Sequence, residues 1–357
     1  MSREEQNNSS PFPTKVEKKY LNFCRQYPDQ VIMSHESSVQ EGFEYLFGAG
    51  FEGPMGAGKP TFTKIAKRFR SRGGITMMKI MVKYGPKMIK GIKRCFQDLD
   101  PYLTELETSA FKIKQQKNLD PDIGLWNELQ EYASNKWDII KIGFTELPNQ
   151  LIFKDKCVLF GHALVFIQEM KKDKIDTAPL IPANMEVMRV YATLGEAIND
   201  IARWLRKKGV RCQSNHPLGG LVCTPPLAGK AGMGGIGRHG MLITPEFGSR
   251  QRLAPIFIEK KLFDYTDNNE HDWIEQYCLN CRLCQIECPT EAIQEEKRIN
   301  IDGIPGIGSM RTCIDREKCF PYFSKTRGCG ICIKVCPFSV GKKSYNKLKK
   351  YILKERN

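Results

Sequence analysis

Twelve residues, Cys278 to Pro289, read Cys-Leu-Asn-Cys-Arg-Leu-Cys-Gln-Ile-Glu-Cys-Pro, which is Cys-x2-Cys-x2-Cys-x3-Cys-Pro. That spacing wraps three thiolates around one corner of a cuboidal [4Fe–4S] cluster and sends the fourth to a neighbouring cluster. Structural zinc sites are the alternative for paired Cys-x2-Cys, but zinc needs neither a third cysteine at x2 nor the Cys-Pro step. A second half-motif, "GCGICIKVCPFS", runs from Gly328 to Ser339, and Thr326 stands where its first cysteine would fall. By the crossing rule Cys278, Cys281 and Cys284 share one cluster with Cys336. Cys288 then joins Cys329 and Cys332 on the other, which still lacks a ligand. Cys319, ten residues upstream of Cys329 in a loop containing proline and glycine, is the expected fourth ligand, with Cys313 in reserve. Two adjacent clusters conduct single electrons, and with every ligand position filled they leave no open iron for substrate. The acceptor must lie in the rest of the chain.

The whole chain has 357 residues, room for two or three domains, with 41% hydrophobic and 27% charged residues, the balance of a globular protein. No apolar run approaches the roughly 20 residues that span a bilayer. The start, "MSREEQNNSSPFPTK", carries neither an apolar core nor paired arginines for export. Nine of 14 cysteines follow residue 277, and such a local cluster in a chain without an export signal points to metal ligation in a reducing cytoplasm. The net charge of +15 is uneven: eleven Lys or Arg lie between Lys64 and Arg94, with no acidic residue between Glu52 and Asp98. Seven more lie between Lys342 and Arg356. These blocks could meet nucleic acid, an anionic membrane surface or an acidic redox partner, or form a solvated face.

The first 15 residues or so read as disordered, and the following stretch to about residue 117 as helical and irregular. "GPMGAGKP", from Gly53 to Pro60, matches seven positions of a phosphate-binding loop, but Pro60 replaces the hydroxyl residue that ligates magnesium, so that motif is rejected. "WDIIKIGFTEL" and "CVLFGHALVFIQEM" are strand-like. Val187, Tyr191, Leu194, Ile198, Ile201 and Leu205 recur at helical spacing, and Gly209 ends that helix. Seven glycines between Gly229 and Gly248 allow a close backbone approach, here expected to be to a flat ligand.

Residues from about 135 to 345 resemble the corrinoid-dependent reductive dehalogenases and the related epoxyqueuosine reductases. The residues that carry the resemblance are "PLAGKAGMGGIGRHGMLITPEFGSRQRLAPIF", the Cys278 motif ending "CPTEAI", and "CFPYF…GCGICIKVCPFS" with its displaced cysteine. The resemblance implies an α+β protein: a nitroreductase-like α/β corrinoid-binding domain at 131–265 and a bacterial-ferredoxin-like domain with two [4Fe–4S] clusters at 266–341. A mainly helical basic region at 1–130 precedes them and a basic tail at 342–357 follows. It implies a base-off cobalamin reduced through the clusters, with Gly232, Gly234, Gly235, Gly237 and Gly240 packing against the corrin and Thr244 and Phe247 in the strand and turn beyond. No Asp-x-His-x-x-Gly occurs, in keeping with that mode of binding.

Dehalogenases use a tyrosine as proton donor beside a basic residue. Tyr191 is the corresponding candidate here, with the core tyrosine of an apolar helix face as its bland alternative. Arg238 and Lys230 are the candidate helpers, and His216 and His239 are other possible acids. The Asp-Tyr-His segment of the tRNA-modifying enzymes is absent. The expected activity is a reductase acting on a small molecule, organohalide by family default, fed by a low-potential donor such as ferredoxin or flavodoxin. A non-catalytic electron-transfer protein and an RNA-modifying reductase are the alternatives.

Overall fold

The computed structural model describes residues 122–152, 157–217, 221–268, 270–293, 314, 316–326 and 328–354, with 32–33 and short pieces between 85 and 94. Most of the N-terminal basic region expected at 1–130, and Cys313, fall outside the described residues.

Helix α1 (Ile123–Trp137) begins where the Asp122 carboxylate accepts the N–H groups of Gly124 and Leu125, at 2.8 and 3.1 Å. A side-chain acceptor at this position satisfies donors that the first turn cannot. Leu125, Leu129 and Ala133, four apart, are its buried face. Strands β1 (Ile142–Glu146) and β2 (His162–Glu169) follow and pair antiparallel, Phe144 opposite Leu164. Helix α2 (Ile181–Lys207) comes next, then β3 (Cys212–Ser214) and helix α3 (Thr224–Lys230). Two short strands, β4 (Gly235–Ile236) and β5 (Leu242–Ile243), form a hairpin, and β6 (Gln251–Ile258) completes the main sheet. That sheet has the order β1-β2-β6-β3, with every pairing antiparallel.

The period of two explains how the sheet is covered. Phe144, Leu164, Phe166, Ala254, Ile256 and Ile258 join Leu194, Ile198, Ile201 and Leu205 of α2 in one buried core. The alternate residue Gly143 faces the other side, where a Cβ would come within 2.8 Å of Ala231 and 2.7 Å of Met233. Of the apolar stripe read from the sequence, Leu194, Ile198, Ile201 and Leu205 are fully buried, whereas Val187 and Tyr191 are half-buried because the first turns of α2 project beyond the sheet core. Lys208 caps the helix and Gly209 follows with φ 84°, a left-handed geometry that glycine adopts without strain.

The cysteine-rich region is helical. Helices α4 (Trp273–Cys281), α5 (Leu283–Ile286), α6 (Arg316–Thr326) and α7 (Ile331–Lys334) carry or flank the cysteines. A 3-10 turn, Pro337–Val340, then leads into α8 (Lys342–Lys354). The basic C-terminal stretch is thus a helix that buries Tyr345 and Ile352 against Trp273, Ile274 and Phe338 while its lysines face outward. Among the described residues no helix is long and apolar enough to cross a membrane.

One buried arginine joins sheet and helices. Arg250 donates to the Ser339 carbonyl at 2.6 Å, to the Met170 carbonyl at 2.7 Å and to the Glu169 carboxylate at 2.6 Å. Hydrogen bonds from a charged donor contribute more than neutral ones. This network holds the 3-10 turn against the ends of β2 and β6.

His216 packs against α2 so closely that a Cβ on Gly195 would lie 1.9 Å from its Nε2. An exposed helical glycine gains about 1 kcal/mol on replacement by alanine. Here the sign reverses, and Gly195→Ala is expected to cost about 1–3 kcal/mol in denaturant unfolding. Burial lowers the His216 pKa from 6.5 to about 4. A depressed value contributes stability that is complete above pH 6.5 and lost as pH falls through 4. Acid titration of the unfolding midpoint is expected to show that loss, reduced in His216→Gln.

Candidate functional site

Arg282 takes the left-handed conformation, φ 52°, and stops α4 immediately after Cys281. The chain reverses into α5, which presents Cys284, and Cys288 follows one turn later. From the other end, Cys336 precedes the 3-10 turn held by Arg250. Cys278, Cys281, Cys284 and Cys336 thereby line one cavity, together with Arg238, His239, Ile243, Tyr277 and Phe338. Burial first, then the neighbouring cysteines 336, 284 and 281, push the Cys278 thiol far above its ordinary range. Burial likewise pushes Cys284 up to about 12 and Cys336 up to about 11.

Cys332 marks a second group. Its thiol is raised by burial and then by cysteines 284, 329, 319 and 288. Cys319, half-buried on α6, is therefore close enough to act on Cys332. Cys288 moves the opposite way. Burial pushes it up, but N–H donors at Thr290, Ala292 and Ile293 and the Thr290 hydroxyl outweigh burial and lower it. The Ala292 N–H reaches its sulfur at 3.3 Å.

The four cysteines on the cavity, Cys278, Cys281, Cys284 and Cys336, offer soft sulfur donors only, and thiolates around one enclosed space fit a cuboidal iron–sulfur cluster.

The remaining expected residues fall in three places. Arg238 is buried, and its guanidinium donates to the carbonyls of Cys278 at 3.0 Å and Leu279 at 3.2 Å, near the end of α4. His239, beside it, lines the same cavity. Lys230 is also buried and donates to Thr145 Oγ1 and the Asp267 carboxylate, at 2.9 and 2.8 Å. Tyr191 stands apart from these, half-buried on α2. The basic group set over its ring is Arg252 of β6, 4.8 Å from the ring centroid.

Arg252 was not legible in the sequence. It sits in "GSRQRLAP" with no spacing to mark it, and only the strand register turns it toward α2. Alternation along β6 gives the signal in retrospect, because residues 252, 254, 256 and 258 share a face and three of them pack on α2.

The glycines make their close approaches to the protein's own chain. A Cβ at Gly232 would meet the Thr266 carbonyl at 2.3 Å, at Gly234 the Ile243 carbonyl at 2.2 Å, and at Gly235 the His271 carbonyl at 2.9 Å. Gly240, φ 73°, turns the hairpin and donates its N–H to the Gly237 carbonyl at 2.8 Å. Thr244 accepts the Phe247 N–H at 3.3 Å and donates to Gln251 at 3.0 Å, closing the next turn. What a corrinoid could satisfy lies elsewhere: Arg252 Nε and Asn215 Oδ1 are buried without a hydrogen-bond partner among the described residues. Arg252, set over the Tyr191 ring, leaves its Nε donor open, which suits a ligand rimmed with carboxamides such as corrins carry. On that count the residues fit.

Residues 277–340 match the 4Fe-4S dicluster domain family. The tetrachloroethene reductive dehalogenase of Desulfitobacterium hafniense is 28% identical over 194 residues, covering 52% of this chain and 34% of that protein. The epoxyqueuosine reductase of Atelocyanobacterium thalassa is 28% identical over 166 residues, covering 42% of this chain and 48% of that protein. In structure, the catabolic reductive dehalogenase NpRdhA superposes with a TM-score of 0.60 at 18% identity, over 91% of this chain and 46% of that one. The chain therefore spans about a third of the dehalogenase sequence it matches. These findings define an iron–sulfur protein with a 4Fe-4S dicluster domain. It is a relative of the reductive dehalogenases and the epoxyqueuosine reductases.

A pH dependence follows from the raised thiols. Without metal, the folded values of Cys336 and Cys284, about 11 and about 12, exceed the ordinary 9.0. A raised value contributes stability that is complete below pH 9 and lost as pH climbs through 11 to 12. The metal-free chain is expected to lose stability over that window in chemical denaturation, and the double replacement Cys284→Ser/Cys336→Ser to lose less.

Proposed function

We propose that this chain is an iron–sulfur oxidoreductase. Cys278, Cys281, Cys284 and Cys336 hold one [4Fe–4S] cluster, and Cys288, Cys319, Cys329 and Cys332 hold a second. The observation that carries the proposal is the cavity lined by Cys278, Cys281, Cys284 and Cys336, with Cys332 close to Cys284, Cys288, Cys319 and Cys329 beside it. Clusters so held supply one-electron transfer, drawn from a reduced ferredoxin or flavodoxin. The antiparallel sheet with α1 and α2 on one face is read as a nitroreductase-like, corrinoid-binding domain, and a corrinoid bound there supplies a low-potential cobalt for reductive bond cleavage.

The chain's own residues contribute position and a proton. Tyr191, half-buried in the third turn of α2, offers its Oη as the proton donor. Arg252, over the ring, sets a fixed positive charge where proton donation leaves a negative one. Arg238, which the sequence suggested for this task, acts by fixing the end of α4. For an organohalide the balance is R–X plus two electrons and one proton, giving R–H and halide, with the proton from Tyr191. Reduction of a modified RNA base has less support: the relatives of that kind match a shorter part of the chain, and their Asp-Tyr-His segment is missing.

The test is anaerobic reconstitution with iron, sulfide and cobalamin, followed by absorbance and halide release from a panel of organohalides. Retention of a base-off corrinoid with turnover supports the proposal. Loss of all corrinoid on desalting overturns the enzyme in favour of an electron carrier. Tyr191→Phe is expected to lower turnover by about 10²–10⁴-fold with corrinoid and iron retained. Cys319→Ser is expected to bind about half the iron of the unaltered chain.

A further inference from the structure

The hairpin β4–β5 has a use that its glycines alone do not explain. Its tip, Gly237 to Gly240, delivers two side chains to the cavity bounded by Cys278, Cys281, Cys284 and Cys336. Arg238 is spent on the carbonyls of α4. His239 is only 1% exposed, and no carbonyl or carboxylate takes up its outer nitrogen.

The protonation of the ring follows from its contacts. Nδ1 accepts the N–H of Met241 at 3.2 Å, so it carries a lone pair and no proton. The ring's proton therefore sits on Nε2. That atom is buried with no hydrogen-bond partner among the described residues. A buried donor left unmade costs about 1–3 kcal/mol, and native structures rarely keep one without a use. Glycine at 237 makes the placement feasible: a Cβ there would lie 2.7 Å from His239 Cε1 and push the ring away.

We propose that His239 donates an Nε2–H···S hydrogen bond to the cluster held by Cys278, Cys281, Cys284 and Cys336, and that this bond raises the reduction potential of that centre. This inference rests on the cluster assignment above. The physical reason is that reduction adds negative charge to the sulfurs, and a donor aimed at them favours the more negative state. The donor reaches one cavity, so the effect belongs to one of the two centres. His239 is thus a tuning residue that holds no iron itself.

Potentiometric titration followed by electron paramagnetic resonance tests this on the full, reconstituted chain. His239→Leu is expected to shift one cluster to a more negative potential and leave the other where it was, with iron content unchanged. His239→Gln, whose amide can still donate, is expected to recover part of the shift. Unchanged potentials in His239→Leu at full iron content would overturn the proposal, and so would an equal shift of both clusters. If the leucine variant fails to load iron, pulsed resonance of the unaltered chain labelled with 15N-histidine decides. A nitrogen coupling from one histidine on a single reduced cluster supports the bond, and its absence refutes it. An unaltered chain that binds no iron overturns the cluster assignment itself, a failure distinct from a loaded chain with unmoved potentials.

Discussion

Buried sulfur is the constraint on which the structure depends. Cys278, Cys284, Cys332 and Cys336 are all pushed up by burial, and each lies among other cysteines whose charge would add to the penalty. Such groups cannot ionise together in an apolar surround without a counter-charge. Multivalent iron shared among several thiolates would supply that counter-charge. The walls are arranged accordingly. Trp273 meets Tyr345 edge-on at 5.0 Å, Tyr277 meets Phe338 edge-on at 5.1 Å, and α8 closes over them.

The same constraint accounts for the connections between the sheet and the cysteine-rich helices. Arg238 satisfies two carbonyls near the C-terminal end of α4, where a helix leaves its last acceptors without partners. Arg250 fixes the turn after Cys336 to β2. Two residues further along, Arg252 stands over Tyr191. Arg250 and Arg252, two residues apart at the start of β6, thus hold the turn beside the cysteine-lined cavity and set a charge over the Tyr191 ring.

Much of this was legible in the sequence because cysteine spacing is a local code. The Cys278 motif encodes its own helix–turn–helix, and Cys319 could be singled out as the candidate ligand because Thr326 stands where a cysteine is expected. The stripe from Leu194 to Leu205 was equally plain, since a helical period needs no tertiary information. The glycines were harder. Their spacing announces close approach but not to what, and most of them meet the carbonyls of the chain itself. Arg252 and the roles of Arg238 and His239 depend on strand register and on a hairpin tip reaching a helix some 40 residues away in sequence. No single-sequence pattern carries that distance. The helix in the basic C-terminal stretch was harder to see, because its lysines dominate the composition while Tyr345, Leu348 and Ile352 carry the packing.

Mössbauer spectroscopy of the chain loaded with 57Fe tests the central claim most directly. The account predicts that all tightly bound iron belongs to cuboidal clusters, in two populations of equal area with different surroundings. One cuboidal population alone, or a chain that excludes iron and takes up zinc, would contradict it.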